Sequence, residues 1–184
     1  MRISYRWLNR HVDLSDLAAT AVADLLTRHV AEVDGVAPFA SALGQVKVGL
    51  VLEREPHPNA DRLGLCRVSL GEGEPLAIVC GAPNVAAGQK VAVATVGTLL
   101  PGDLSIKQAR IRGVESNGMI CSERELGLGD EHQGIWVLPG HAPLGAVVDT
   151  LFGGPEWAIE VDNKAITHRP DPWGHRGIAL ELAA

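Results

Sequence analysis

Residues 46–53 have the sequence Val46-Lys47-Val48-Gly49-Leu50-Val51-Leu52-Glu53, in which Val46, Val48, Leu50 and Leu52 stand at every second position. This period of two is the period of a β-strand that buries one face. The four alternating side chains are therefore predicted to face a core. We expect an all-β region to begin here.

Four more short strands are predicted after this one, each bounded by glycine, proline or asparagine turn signals. They cover residues 63–70, 76–80, 90–96 and 118–121. Five short strands at this spacing predict a small barrel. A capping-box pattern at residues 122–125, with Gly127 after it, predicts a short helix behind the last barrel strand, and residues 135–138 are predicted to form one more strand.

The two ends of the chain have a different pattern. Capping oxygens at residues 13–16 precede apolar residues at helical spacing, including Leu17, Leu25 and Leu26, and predict a helix that ends near Arg28. A strand is predicted at residues 159–161. Asp171-Pro172 is a favourable helix start, so residues 174–184 are expected to be helical. This helix has no cap at the chain end, which predicts that the 184 residues are the front part of something longer.

Composition excludes several classes of protein. No window approaches the roughly 18 apolar residues of a membrane helix, so no membrane is expected and the cytoplasm is the default location. Cys66, Cys80 and Cys121 are an odd, scattered set, which predicts reduced core residues. A net charge of −6 disfavours nucleic-acid binding by bulk electrostatics, and an aromatic content of 4% disfavours stacking of single strands. Any RNA contact is then local, with folded RNA as the target.

One segment is locally basic. Residues 104–114 contain Lys107, Arg110 and Arg112 and no acid. On a strand, Arg110 and Arg112 would share one face, so that two guanidinium groups project together toward a phosphate. A solvated outer face explains the same pattern equally well.

Other functional patterns are weaker. Gly127-Leu128-Gly129 lacks the third glycine of a dinucleotide site, and the acidic and histidine residues Asp162, His168, Asp171 and His175 have no zinc-enzyme spacing, so capping or solvated roles are favoured. No metal site and no catalytic residue is predicted.

A Cys/His hydrolase that pairs Cys80 or Cys121 with His57 or His132 is the enzyme alternative. It is disfavoured because thiols in apolar strands are usually inert. His57 itself lies between two prolines on the loop that joins the first two strands. It could contact a ligand there or only end a strand.

Three blocks in order carry a family resemblance. They are Pro56-His57-Pro58-Asn59-Ala60-Asp61-Arg62-Leu63, Val79-Cys80-Gly81-Ala82-Pro83-Asn84 and Arg112-Gly113-Val114-Glu115-Ser116-Asn117-Gly118-Met119. The blocks resemble the tRNA-binding domain that several synthetases and free-standing tRNA-binding proteins share. The flanking runs at residues 1–8, 122–128, 169–171 and 177–179 are similar to the β subunit of bacterial phenylalanyl-tRNA synthetase, although His168 and Leu180 depart from its usual pattern.

The resemblance implies an α+β fold, in which a five-stranded Greek-key barrel of the oligonucleotide-binding (OB) type at residues 39–151 is inserted into a small discontinuous α/β domain. That domain would combine residues 1–38 with residues 152–184, the latter part truncated. The implied function is tRNA binding and subunit scaffolding. The implied partners are tRNA, the synthetase α subunit and the rest of the β subunit in a heterotetramer, with ATP and magnesium bound outside this non-catalytic stretch.

The resemblance also places residues 116–119 on the tRNA-facing side of such barrels, which favours phosphate contact by the basic segment. The predicted RNA-binding residues are Lys107, Arg110, Arg112, Ser116, Asn117, Met119, His57 and Asn84. Met119 suits either a sugar or base contact or a place in the core. The alternative function is that of a free-standing dimeric tRNA-binding protein of the same barrel family.

Overall fold

The structure is a computed structural model that describes residues 1–184. The chain divides into two compact units. The end unit combines Met1–Phe39 with Pro155–Ala184, and the middle unit is Ala40–Gly154. None of the helices has the length and apolar character needed to cross a membrane.

Thirteen strands and three α-helices make up the regular structure. The strands are β1 (Arg2–Ser4), β2 (Val33–Phe39), β3 (Lys47–His57), β4 (Ala60–Ser69), β5 (Leu76–Cys80), β6 (Lys90–Thr95), β7 (Leu99–Leu100), β8 (Leu104–Ser105), β9 (Ala109–Ile111), β10 (Val114–Ser116), β11 (Gly118–Ile120), β12 (Val137–Leu138) and β13 (Glu156–Val161). The α-helices are α1 (Tyr5–Leu8), α2 (Ala19–His29) and α3 (His175–Ala183), and 3-10 helices cover Ser41–Gly44, Val148–Phe152 and Asn163–Ile166.

The middle unit is a nearly closed antiparallel barrel, which confirms the predicted fold class. Its strands are hydrogen-bonded in the order β11, β6, β3, β4, β5, and β12 adds to β6. The N–H of Asn117 donates to the carbonyl of Ala77 at 2.8 Å, so the chain entering β11 meets β5 and draws the two sheet edges together. The five barrel strands lie where the sequence pattern predicted them.

The prediction that β3 buries one face was wrong, because its first half is buried on both faces. Val46 and Val48 pack into one cluster with Leu126 and Val148, outside the barrel. Val51 lies on the opposite face and packs into the barrel interior. Leu52, predicted to be buried, is 39% exposed, because the pairing with β4 shifts register between Val51 and Glu53. A bulge of this kind changes the face on which later residues lie.

The outer face of β3 and β6 is covered by the irregular segments that follow β6 and β11. Leu100, Ile106, Leu126 and Leu138 from these segments pack over Ala92. Val91 and Val93 of β6 therefore face the barrel interior, whereas Ala92 and Ala94 face this outer cluster. Local periodicity cannot reveal such a cover, since it depends on residues distant in sequence.

Residues 122–125 form a capping box without the predicted helix. The Glu125 carboxylate accepts from the Ser122 N–H at 2.6 Å and from its hydroxyl at 2.8 Å. The segment then turns, because Gly127 has a φ of +71° and the N–H of Arg124 donates to the carbonyl of Glu131. The side-chain hydrogen bonds that start a helix therefore stabilise a turn here.

The end unit is a three-stranded antiparallel sheet in the order β1, β13, β2, with helices packed against it. β2 contains both Gly35 and Pro38. The core combines Ile3 and Ile159 from the sheet with Val22 and Leu26 from α2 and Ile178 from α3.

α2 starts later than predicted, and α3 lacks the predicted cap. α2 has Ala18 as its N-cap, with no side-chain hydrogen bond, while the Asp13 carboxylate accepts from Ser15 within a turn. Leu17, expected in the core, is 37% exposed for that reason. α3 starts after Gly174, since Asp171 pairs with Arg169 at 2.5 Å and does not cap the helix.

The three cysteines are buried, as predicted. Burial raises the pKa of the Cys66 thiol to about 11 and that of Cys121 to about 12. Because the thiolate is the reactive form, we expect a thiol-specific reagent to label the native chain at neutral pH far more slowly than the urea-unfolded chain. Equal labelling rates in the two states would contradict this prediction.

His175 makes the end unit sensitive to acid. Its Nε2 accepts from the Ser4 N–H at 2.9 Å, and its ring stacks on Trp7 with centroids 4.4 Å apart. Burial, with a smaller contribution from His11, lowers the pKa of His175 below its ordinary value of 6.5. At this residue the native state thus binds fewer protons than the unfolded state, so the stability that neutral His175 contributes is lost as pH falls below about 6.5 toward the folded pKa.

We therefore expect the melting temperature, measured by tryptophan fluorescence, to be lower at mildly acidic pH than at neutral pH. His175→Gln removes the titrating group but keeps a side-chain acceptor, so this variant should lose less stability on acidification. His29→Gln, an exposed histidine of the same unit, is the matched control. A wild-type pH dependence that His175→Gln leaves unchanged would rule out His175 as its source.

Candidate nucleic-acid interface

Two turns meet at one end of the barrel. The first is Pro58-Asn59, which joins β3 to β4, and the second is Arg112-Gly113, which joins β9 to β10. The Asn59 Nδ2 donates to the carbonyl of Arg112 at 3.0 Å. The first turn links barrel strands one and two, and the second lies within the connection between strands four and five. These are the two loops with which OB-type barrels contact oligonucleotides.

His57 connects these two turns through its ring nitrogens. Its Nδ1 accepts from the Asn59 N–H at 3.1 Å, which leaves the proton on Nε2 to be donated to the carbonyl of Ile111, also at 3.1 Å. The side chain is 5% exposed. Both ring nitrogens are thus occupied, and the residue positions the arginine-bearing turn. Sequence reasoning missed Asn59 in this role, although a Pro-Asn pair is a turn signal.

The three predicted cations are all exposed, and none forms an ion pair within the chain. The predicted shared strand face was wrong, because β9 ends at Ile111 and Arg112 lies in the turn with a φ of +50°. Arg110 stands opposite Glu115 in the β9–β10 pair. Tertiary contacts of the turn, and not strand alternation, decide where Arg112 is held.

The turn conformation is unusual for arginine. Both Arg112 and Gly113 have positive φ, at 50° and 92°. Glycine and asparagine are preferred at such positions, because a Cβ costs roughly 1–2 kcal/mol in the left-handed region. The conformation is stabilised by the hydrogen bond that the Arg112 carbonyl accepts from Asn59, so the turn presents the arginine side chain from a defined backbone.

The Ser-Asn-Gly-Met block connects this turn to the barrel wall. Ser116 is 3% exposed, and its hydroxyl accepts from the Val79 N–H and donates to the Gly118 carbonyl, each at 3.1 Å. The Ser116 hydroxyl therefore connects β10 to β5. The Asn117 side chain is half-buried and makes no hydrogen bond within the chain. Met119 is half-buried and packs on the outer cluster.

Asn84 also has a structural role. Its Nδ2 donates to the carbonyl of Ile135 at 2.9 Å, and its Oδ1 accepts from the Ile135 N–H at 2.8 Å. Gly134 lies so close that a Cβ there would come within 2.5 Å of the Asn84 Oδ1. The amide thus fastens the segment after residue 131 to the end of the Val79–Asn84 block.

A cleft of about 320 Å³ lies beside this block, and we call it the Glu125 cleft. Its lining includes Cys80, Met119, Ser122, Glu125 and His132. Cys80 and His132, one of the pairs considered for the hydrolase alternative, therefore share a cleft. Burial raises the pKa of Cys80, and the Glu125 carboxylate adds to the shift. This environment keeps the thiol protonated, which is the opposite of what a nucleophile needs.

The chain is similar in sequence to known proteins. Residues 46–147 match the family model described as "Putative tRNA binding domain". Phenylalanine–tRNA ligase beta subunits are similar over the whole chain, with 46% identity in Geobacillus kaustophilus and 48% in Geobacter metallireducens. The chain spans only 23% and 22% of those two proteins. The predicted resemblance is confirmed.

A solved structure is also similar, a MetRS related protein from Pyrococcus horikoshii. The two sequences are 25% identical, and the match covers 55% of this chain and 86% of the other, with a TM-score of 0.42. A score this low supports no argument about the site.

Proposed function

Because the chain belongs to the tRNA-binding domain family, we propose that it binds tRNA through the end of the barrel where the Asn59 and Arg112 turns meet. It does so as a region of a phenylalanine–tRNA ligase β subunit that works in the cytoplasm. The observation that carries the proposal is the anchoring of an exposed arginine in a strained turn by Asn59 and His57.

The contact is electrostatic but local. With a net charge of −6, the chain repels RNA at long range, so binding depends on Lys107, Arg110 and Arg112. Guanidinium groups match phosphate oxygens bidentately, and a hairpin held at its tip presents them at little further entropic cost. The Asn117 amide, which has no partner in the chain, suits a phosphate or 2′-hydroxyl oxygen. Ser116 and His57 hold this surface in place, and Asn84 fastens the Ile135 segment.

The end unit has a scaffolding role in this proposal. It exposes Trp7 at 55%, Trp173 at 52% and Leu180 at 63%, large apolar residues that favour burial against other protein. The partners are the ligase α subunit and the remainder of the β subunit. The free-standing dimeric alternative is less favoured, because the ligase relatives match both units and not the barrel alone.

The test is tRNA binding by the purified chain as a function of salt, measured by filter retention. Three phosphate contacts predict that affinity falls about fortyfold between about 50 and 200 mM salt. A DNA duplex serves as control for contacts to any polyanion and should bind more weakly, because it lacks the 2′-hydroxyl. Failure to retain tRNA at low salt, or retention indifferent to salt, would overturn the proposal.

A further inference from the structure

The Glu125 cleft is lined by β5, to which Ser116 at the end of the basic hairpin is hydrogen-bonded. β10 runs from the Arg112 turn to Ser116, which is bonded to Val79, and β11 follows with Met119 and Ile120. Val79, Met119 and Ile120 all line the cleft. An RNA strand that extends from the basic turn along β10 would reach the strands that line the cleft.

The cleft is already formed without a ligand. Its apolar lining comes from Ala82, Met119, Ile120 and Ile135. The wall that contains Ile135 is fixed by the two hydrogen bonds from Asn84. A flat ring can bind in such a site with little loss of conformational entropy, because the walls are already ordered.

The charge of the cleft selects what can enter. No lysine or arginine lines it, and Glu125 places a carboxylate there. The Oε2 atom of Glu125 is occupied by the two hydrogen bonds from Ser122, while Oε1 makes none within the chain. A phosphate would be repelled, whereas a group with N–H donors would find an acceptor.

We propose that the Glu125 cleft binds an unpaired adenine or cytosine, whose exocyclic amino group stands where guanine and uracil carry a carbonyl oxygen. Its amino group donates to the Oε1 of Glu125, while its ring lies against Met119 and Ile120. Carboxylates accept from amino groups at base edges, and unpaired RNA bases are commonly bound on that edge. Uracil has a carbonyl oxygen at the same place, which the carboxylate repels. This inference rests on the proposed tRNA binding and adds base selection to it.

The test compares short homopolymers of adenine, cytosine and uracil by fluorescence anisotropy with the 184-residue chain at low salt. Adenine and cytosine oligomers should bind about tenfold more tightly than uracil, the difference expected of one hydrogen bond to a charged group. In Glu125→Gln the amide oxygen can keep the bonds from Ser122 and turn the NH₂ toward the cleft. This variant should lose the preference or reverse it in favour of uracil.

Glu123→Gln is the matched control, because it makes the same charge change two residues away and Glu123 does not line the cleft. It should keep the wild-type order. The wild-type comparison needs no variant, so the proposal stays falsifiable if Glu125→Gln fails to fold.

Equal binding of all three homopolymers beside salt-dependent tRNA binding would overturn the base site and leave the proposed function intact. An unchanged preference in Glu125→Gln would also overturn it. If neither tRNA nor any homopolymer binds, the proposed function itself fails.

Discussion

Gly49→Ala lowers the free energy of unfolding of the barrel unit by about 2–3 kcal/mol, the upper range for one methyl group added to a filled core. A Cβ at this position would lie 2.5 Å from Cγ2 of Val93 and 2.8 Å from Cγ1 of Val68. Both valines are fully buried in the barrel interior. The neighbours are branched side chains in a closed barrel, so neither can turn away into solvent.

Urea denaturation followed by circular dichroism measures the effect. Gly140→Ala is the matched control, since no atom lies within 4 Å of a Cβ built at Gly140 in the same unit. Its free energy of unfolding should stay near the wild-type value. If Gly49→Ala is as stable as Gly140→Ala, then Gly49 does not face the packed interior as described.

The second large effect is expected from Arg110→Glu/Arg112→Glu. Each phosphate contact releases about one counterion, worth roughly tenfold in affinity near 50 mM salt, so losing two costs about a hundredfold. Repulsion by the new carboxylates adds to that loss, and a low-salt gel shift should no longer retain tRNA. The slope of affinity against salt should also become shallower.

The control is Arg10→Glu/Arg28→Glu, which reverses two exposed arginines of the end unit and makes the same change in net charge. It should weaken tRNA binding much less. Arg112→Asn separates folding from binding, because asparagine suits the left-handed turn but carries no charge. We expect this variant to be as stable as the wild type and to bind tRNA more weakly. Equal retention by the two charge-reversed proteins would mean that the basic turn is only solvated.

The site was only partly predictable from the sequence. Lys107, Arg110 and Arg112 stand out as a local excess of charge, whatever the fold. Their geometry was not predictable, because Arg112 is placed by a hydrogen bond from Asn59, which lies 53 positions away in the chain. For the same reason the sequence did not predict that Ser116 and Asn84 hold strands and loops together. Polar residues in a motif can serve the fold or the ligand, and only their partners distinguish the two.

By itself, the sequence determined the position of the longer barrel strands and of the two longer helices, since alternation and helical spacing are local properties of neighbouring side chains. The five barrel strands, α2 and α3 follow from them within a few residues. Tertiary structure alone decided which side of β3 faces the barrel interior. Val48 and Val51 are equally apolar, yet one packs outside and the other inside, because distant segments ending at Leu126 and Val148 cover the outer face. A period of two identifies two faces, and burial of each depends on what the rest of the chain brings against it.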